Sequence, residues 1–280
     1  MQQLKIYQSL WGMEQRVPGK DEPSFEYNFN KAKNAGYHGL CLDLTVDEID
    51  DFQETNALFA RFNLECMINA FPMKPSDMQP LMQMAKTLNA PLINIISGVM
   101  PLKPDEAVPC VKRWMREATE IDVNILFETH RDSLLNDLFF TIQLMDLIPE
   151  MRLCADLSHF VVDRELRLPL PERDKDFIDN VLERSDCFQG RIANREQIQI
   201  QIDFPQHQEW VDQFRGWWKD GIRMWRDRNT KDATLIFLCE LGPRPYAITD
   251  KNQEELSDRW EEALTIKSWV EEIWAELEAE

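Results

Sequence analysis

Short apolar runs alternate along the chain with longer segments in which apolar residues recur at helical spacing. The clearest run, 124–127, ends abruptly at Glu128, and similar runs end at Asp156 and Glu240. A continuous run of Val, Ile, Leu and Phe is typical of a strand that is buried on both faces of a parallel sheet. Eight such strands are predicted, and they begin near residues 4, 38, 64, 91, 124, 151, 186 and 233.

Helices are predicted between these strands, because apolar residues there recur with a period of about 3.6 residues. The predicted helices are 25–35, 47–62, 75–88, 105–121, 133–147, 206–228 and 252–277. Segment 161–180 contains Pro169 and Pro171, and it is expected to be a loop with little regular structure. The seventh strand, 186–195, is polar in its second half.

Eight parallel strands that alternate with helices form a (β/α)₈ barrel, the TIM barrel, which needs about 250 residues. The chain has 280 residues, so a single barrel domain over 1–280 is predicted. In this fold the active site lies at the carboxyl ends of the strands. The polar residues that follow the apolar runs are therefore the candidates for a functional site.

The charge of the chain narrows its possible partners. It carries 31 Lys and Arg against 50 Asp and Glu, which gives a formal net charge of −19. Such an excess of negative charge repels phosphate backbones and anionic lipids, so neither nucleic acid nor a membrane is expected as a partner. No apolar run approaches the ~18 residues of a membrane span, and the amino terminus lacks the pattern of a signal peptide.

The six cysteines include no Cys-x-x-Cys pair. Four of them lie in predicted strands, namely Cys41, Cys66, Cys154 and Cys239. A cysteine inside an apolar strand usually behaves as a small hydrophobic residue in a reducing compartment. A cytoplasmic location is therefore expected.

Glu128, Asp156 and Glu240 end the fifth, sixth and eighth predicted strands, so they should meet at the mouth of the barrel. Three carboxylates in a partly dry site need a counter-charge to stay ionised. One candidate is a shared divalent cation, and oxygen ligands favour Mn²⁺, Mg²⁺ or Co²⁺ over Zn²⁺. The other is an ion pair between one carboxylate and a nearby arginine, with Arg131, Arg191 and Arg195 as candidates.

These motifs resemble those of the xylose isomerase-like TIM barrel superfamily, the metal-dependent sugar isomerases and epimerases. Glu128 in Phe-Glu-Thr-His-Arg is similar to the superfamily's metal-binding glutamate on the fifth strand. Asp156 and His159 in Asp-Leu-Ser-His are similar to its Asp-x-x-His pair on the sixth strand. Glu240 in Glu-Leu-Gly-Pro is similar to its glutamate on the eighth strand. The order and spacing of these motifs extend the resemblance over the whole barrel.

The seventh strand departs from the superfamily's usual pattern, because Gln189 stands where most members have a metal-binding histidine. Some relatives, hydroxypyruvate isomerase-like ones among them, also use glutamine there, and an amide oxygen can bind a hard cation. The resemblance thus implies one divalent metal ion held by Glu128, Asp156, Gln189 and Glu240. The presence of only four histidines argues against an endonuclease IV-like nuclease.

The resemblance implies proton transfer next to a carbonyl group in a small sugar or keto-polyol, through a metal-stabilised enediolate. Glu128 and Glu240 would act as the acid and base of this isomerase or epimerase. Substrate contacts would come from four other side chains, His159, Arg191, Arg195 and Trp11.

Two other functions would use the same residues. A dehydratase or lyase would share the metal and the enediolate, whereas a barrel that binds a sugar-like ligand without turnover would explain why Gln189 replaces histidine. The Trp-rich segments 206–228 and 252–277 are also compatible with a homo-oligomer interface, although aromatic helices pack on the barrel itself as well.

Overall fold

A closed barrel of eight parallel strands forms the centre of the molecule. Its coordinates are a computed structural model that describes all 280 residues, Met1–Glu280. The strands are β1 (Gln3–Ser9), β2 (Gly39–Leu44), β3 (Glu65–Ala70), β4 (Leu92–Ile95), β5 (Ile125–Glu128), β6 (Leu153–Ala155), β7 (Ser185–Gly190) and β8 (Thr234–Cys239). They follow one another around the barrel in chain order, and β8 pairs with β1 to close it.

Nine α-helices connect and follow the strands. They are α1 (Phe25–Asn34), α2 (Thr55–Phe62), α3 (Met78–Thr87), α4 (Pro104–Ile121), α5 (Leu138–Leu147), α6 (Leu157–Asp163), α7 (Glu172–Arg184), α8 (Gln208–Arg228) and α9 (Arg259–Ala279). Every strand except the last is thus joined to the next through at least one helix, which confirms the predicted (β/α)₈ barrel. None of the nine helices has the length and hydropathy of a membrane-spanning segment.

The prediction of a loop over 161–180 was wrong, because α6 and α7 occupy most of this segment. Pro171 is the N-cap of α7, and Glu172 and Asp174 follow in its first turn, where the helix dipole favours acidic side chains. Ile178 lies on the buried face of the helix. The proline therefore marks the start of a helix, where its missing N–H costs little, and not a segment without structure.

Three predicted helices begin at least five residues later than expected, and one strand is shorter. Helix α2 begins at Thr55, because Val46–Glu48 forms a separate 3₁₀ turn. Helices α5 and α9 begin after Asp137 and Asp258, whose carboxylates accept hydrogen bonds from backbone N–H groups of the first turn. Strand β7 ends at Gly190, so the polar half of the predicted strand lies in a loop.

The hydrophobic core has an outer layer between strands and helices and an inner layer inside the barrel. The outer layer contains 64 buried residues. The inner layer is formed by Tyr7, Cys41, Met67, Leu92, Leu126, Cys154, Cys187, Ile236 and Leu238. The barrel interior is therefore filled with side chains, as in other TIM barrels. All four cysteines that were expected in strands are buried and unpaired.

A buried carboxyl group on α9 gives a prediction about stability. Glu262 is 7% exposed, its Oε1 accepts a hydrogen bond from the backbone N–H of Ile202 at 3.0 Å, and burial raises its pKa to about 7. The unfolded chain has a pKa near 4.3 for glutamate, so stability is lost as the pH rises from there through about 7. Glu262→Gln keeps an acceptor without the charge, and we expect it to raise the free energy of unfolding by about 2 kcal/mol at pH 8.

Urea unfolding of both proteins at pH 5 and pH 8 measures this effect. The difference between wild type and Glu262→Gln should be small at pH 5 and large at pH 8. Glu261→Gln, the same change at the exposed neighbouring position, serves as the control. An equal pH dependence in wild type and Glu262→Gln would contradict the prediction.

Candidate active site

A layer of polar side chains lies directly above the apolar layer inside the barrel. Side chains two residues apart on a strand face the same side of the sheet. The inner apolar positions on β2 to β8 are therefore followed, two residues further toward the carboxyl ends of the strands, by Asp43, Asn69, Asn94, Glu128, Asp156, Gln189 and Glu240. The alternation of the strands thus places these polar groups at one end of the barrel.

The structure brings together the three carboxylates that end β5, β6 and β8. Glu128, Asp156 and Glu240 each have an oxygen within 4.8 Å of an oxygen of the other two. All three are buried, with at most 3% of the residue surface exposed. Negative charges this close together repel one another strongly in a site with little water.

Two asparagines that the sequence analysis did not single out connect the carboxylates. Asn69 Nδ2 donates hydrogen bonds to Asp43 Oδ1 at 2.9 Å and to Glu240 Oε1 at 3.1 Å. Asn94 Nδ2 donates to Asn69 Oδ1 at 2.9 Å and also to Glu128. The amides fix the side-chain orientation of the two glutamates, since each glutamate accepts a hydrogen bond from one of them.

Arg191 is the cation of this cluster. Its guanidinium is 2% exposed, and it places Nε 3.1 Å from Asp156 Oδ2 and Nη2 3.1 Å from Glu240 Oε2. It also lies against the rings of Tyr246 and Trp11, 4.8 and 5.7 Å from their centroids. The ion pair between an arginine and a carboxylate, which was expected as the alternative to a metal, is therefore present. It involves two carboxylates.

The environment of each carboxyl group sets its pKa. Burial opposes ionisation of Asp156, but the charge of Arg191 and the hydrogen bonds that Asp156 accepts from Ser158 outweigh it and hold the pKa well below its usual range. Burial, followed by the charges of Glu240 and Asp156, raises the pKa of Glu128 well above its usual range. Burial raises the pKa of Glu240 to about 7, although Arg191 acts in the opposite direction. Glu240 therefore titrates near neutral pH.

His130 and His159 lie beside the carboxylates. Their ring centroids are 3.9 Å apart, and His159 Nε2 is 3.4 Å from Asp156 Oδ2. Burial lowers the pKa of both rings, in His130 to about 2, so both are neutral at physiological pH. Glu128, His130 and His159 also have ligand atoms within 4.8 Å of one another.

The donor set fits a divalent cation. Three carboxylates and one guanidinium leave a net charge of −2, since −3 + 1 = −2, when all are ionised. Glu128 Oε1 and Gln189 Oε1 are buried and have no hydrogen-bond partner, and a buried oxygen without a partner is costly. Gln189 Nε2 donates to Glu128 Oε2 at 2.6 Å, so its amide is held against the carboxylate cluster.

A cavity of about 530 Å³ opens above the carboxylates. Aromatic side chains form much of its wall, namely Trp11, Phe25, Phe52, Phe71 and Tyr246. Its charged lining comprises Glu14, Arg16, Glu22, Asp43, Glu48, Glu128, Arg191 and Glu240. No lysine lines the cavity. Both of its arginines already contact carboxylates: Arg191 contacts Glu240, and Arg16 Nε lies 2.7 Å from Glu14 Oε2.

Only two of the four residues expected to contact substrate line the cavity. Trp11 and Arg191 line the cavity, and Trp11 packs edge-on against Tyr246 with centroids 5.2 Å apart. His159 is fully buried and does not line the cavity. Arg195 lies outside the cavity, where it pairs with Glu165 at 2.8 Å. Arg191 directly follows β7, two residues after the inward-facing Gln189, whereas Arg195 lies further along the loop.

The fold and the site define a class of protein, a (β/α)₈ barrel with a buried carboxylate cluster at the carboxyl ends of its strands. Within that class the fold is that of xylose isomerase-like TIM barrel proteins, the superfamily that the motifs resemble. Neither a protein-family model nor a curated protein matches the sequence. The similarity is found by comparison with solved structures.

Three of these structures illustrate the similarity. A xylose isomerase-like TIM barrel protein from Mycobacterium smegmatis, crystallised with magnesium, has 13% identity and a TM-score of 0.63 over 98% of this chain and 97% of that one. A D-allulose 3-epimerase from Methylomonas sp. in complex with D-allulose has 12% identity and a TM-score of 0.62 over 96% and 97%. A probable 3-DHS dehydratase from Bacillus anthracis has 14% identity and a TM-score of 0.57 over 86% and 94%.

Proposed function

We propose that this protein is a divalent-metal-dependent isomerase or epimerase of a small sugar or keto-polyol. The observation that carries the proposal is the meeting of Glu128, Asp156 and Glu240 in a buried site. With Arg191, the net charge of this site is −2 when all four groups are ionised, which matches one dication. The similarity of the fold to that of a D-allulose 3-epimerase supports the reaction class.

Four side chains would hold the ion, Glu128, Asp156, Gln189 and Glu240. When bound, the ion would polarise a substrate carbonyl as a Lewis acid. The oxygen-rich ligand set favours Mn²⁺, Mg²⁺ or Co²⁺ over Zn²⁺. The magnesium in the Mycobacterium smegmatis protein agrees with this preference.

Glu128 and Glu240 are the proposed acid and base. Both line the cavity, so either carboxyl group can reach a substrate bound there. One glutamate would take the proton from the carbon next to the carbonyl group and the other would return one. The hydrogen bonds from Asn94 to Glu128 and from Asn69 to Glu240 would hold the two carboxyl groups in place during the transfer.

The lining of the cavity favours an uncharged substrate. Six carboxylates and two arginines line it, and the proposed ligand Asp156 adds a seventh carboxylate, so a net charge of −3 remains with a dication bound when all are ionised, since −7 + 2 + 2 = −3. A phosphate or carboxylate group on the substrate would be repelled by this excess. Trp11 and Tyr246 provide apolar surfaces for a sugar ring, and Arg191 Nη1, which has no partner, can donate to a sugar oxygen.

A dehydratase or lyase of a keto-polyol remains the alternative, because the fold is also that of a probable 3-DHS dehydratase. The same carboxylates would remove the first proton. Product analysis separates the two, since a dehydratase releases water and an epimerase returns an isomer of equal mass.

Metal content tests the proposal most directly. Wild type purified without chelator is expected to contain about one equivalent of a divalent ion by elemental analysis, and Glu240→Gln much less, because the variant loses one ligand and one negative charge. Glu165→Gln, an exposed position outside the cavity, should retain the wild-type content. No metal in any of the proteins, even after addition of Mn²⁺, Mg²⁺, Co²⁺ or Zn²⁺, would favour a barrel that binds a ligand without turnover.

A further inference from the structure

Arg191 contacts two of the residues that are proposed to bind the metal. Its Nε and Nη2 approach Asp156 and Glu240 at 3.1 Å, and both residues belong to the proposed ligand set. The side chain is 2% exposed, and an arginine side chain stays protonated in proteins, so its positive charge is permanent. A buried carboxylate that already neutralises a guanidinium is a weaker ligand for a second cation, because the two cations repel each other at short range.

We propose that Arg191 is an internal counter-cation that competes with the divalent ion for Asp156 and Glu240 and thereby sets the metal affinity of the site. This inference rests on the proposed function. Without metal, the guanidinium balances part of the carboxylate charge and keeps the site folded. With metal, the guanidinium must release at least part of its contact with the two carboxylates.

The structure provides a place for the released guanidinium. The rings of Tyr246 and Trp11 lie beside it on the cavity side, at 4.8 and 5.7 Å from its centre, and such faces attract a cation. Arg191 lines the cavity, and its buried Nη1 has no hydrogen-bond partner. A small shift toward the cavity would therefore exchange contacts with carboxylates for contacts with rings and with a substrate oxygen.

Calorimetric titration of the metal-free protein with Mn²⁺ at pH 8 tests the competition. We expect Arg191→Gln to bind Mn²⁺ at least about ten-fold more tightly than wild type, because a competing charge is removed. Arg191→Lys keeps the charge but loses the fork that spans two carboxylates, so its affinity should lie between the two. Arg195→Gln makes the same change of charge at a partly exposed arginine outside the cavity, and its affinity should equal that of wild type.

The metal-free proteins provide a second measurement. Arg191→Gln should melt at a lower temperature than wild type without metal, and Mn²⁺ should restore most of the loss, since the metal replaces the missing positive charge. If Arg191→Gln folds only when Mn²⁺ is present, the same conclusion holds. Failure of Mn²⁺ to restore stability would overturn the inference.

The inference and the proposed function fail in different ways. If wild type binds Mn²⁺ and Arg191→Gln binds it equally or more weakly, the competition is absent but the metal site stands. If neither protein binds any divalent ion, the proposed function fails as well. Tighter binding by Arg191→Gln, together with unchanged binding by Arg195→Gln, supports both.

Discussion

Glu128→Gln is expected to lower the rate at which the enzyme exchanges a substrate carbon-bound proton with solvent by about 10³-fold or more. The amide cannot accept the proton, and it also removes one negative charge from the proposed metal site. The measurement is deuterium incorporation from D₂O next to the carbonyl group, using the unphosphorylated ketose on which wild type is most active. Glu128 is buried and lines the cavity, so no neighbouring water replaces its carboxylate readily.

Two controls make this experiment specific. Glu165→Gln lies outside the cavity and should exchange at the wild-type rate. Metal content of Glu128→Gln shows whether loss of the base or loss of the ion causes the effect. Exchange by Glu128→Gln within ten-fold of wild type, on the same ketose, would remove Glu128 from the proposed acid and base pair.

The sequence predicted the fold well because the parallel strands are continuous apolar runs that end in polar residues. The same runs located Glu128, Asp156 and Glu240, since each ends a strand and strand ends meet at one face of the barrel. Period-two alternation within the strands would also have located Asn69 and Asn94, which follow inward-facing apolar residues by two positions. Their amides carry no charge, so there was no electrostatic reason in the sequence to identify them as site residues.

The surroundings of the two arginines could not be predicted from the sequence. Arg191 and Arg195 are four positions apart in a stretch that reads as one polar segment, but β7 ends between Gly190 and Arg191. Arg191 directly follows the strand, two positions after the inward-facing Gln189, and it contacts Asp156 and Glu240, whereas Arg195 lies further along the loop and pairs with Glu165. The inward direction of Gln189 in β7, which is set by pairing with β6 and β8, therefore brings Arg191 and not Arg195 into the site.

Gln189 places an amide where most members of the superfamily that the motifs resemble have a metal-binding histidine. Its side chain lies against Glu128, in the layer where the other proposed ligands lie. An amide is neutral at every pH, whereas a histidine would add a nitrogen ligand that can be protonated. With glutamine, the proposed ligand set contains only oxygen donors. Its carboxylates are then the only ligands whose protonation opposes metal binding.

Mn²⁺ is expected to raise the melting temperature of the wild-type protein by about 10 °C at pH 8 and by clearly less at pH 6. A ligand at about 1,000 times its dissociation constant stabilises the folded state by about 4 kcal/mol, and each kcal/mol shifts the melting temperature of a chain of this size by about 2–4 °C. Differential scanning calorimetry at both pH values, with Mn²⁺ and with EDTA, measures the shift.

The sign of the pH dependence follows from the raised pKa values. Burial raises the pKa of Glu128, Asp43 and Glu240, in Glu240 to about 7, above the values of about 4 in an unfolded chain. Each group therefore stabilises the metal-free fold at low pH and loses that contribution as the pH rises through its folded pKa. Metal requires the ionised groups, so protons compete with it at pH 6 and much less at pH 8. A larger Mn²⁺ shift at pH 6 than at pH 8, or none at either pH, would contradict binding at these carboxylates.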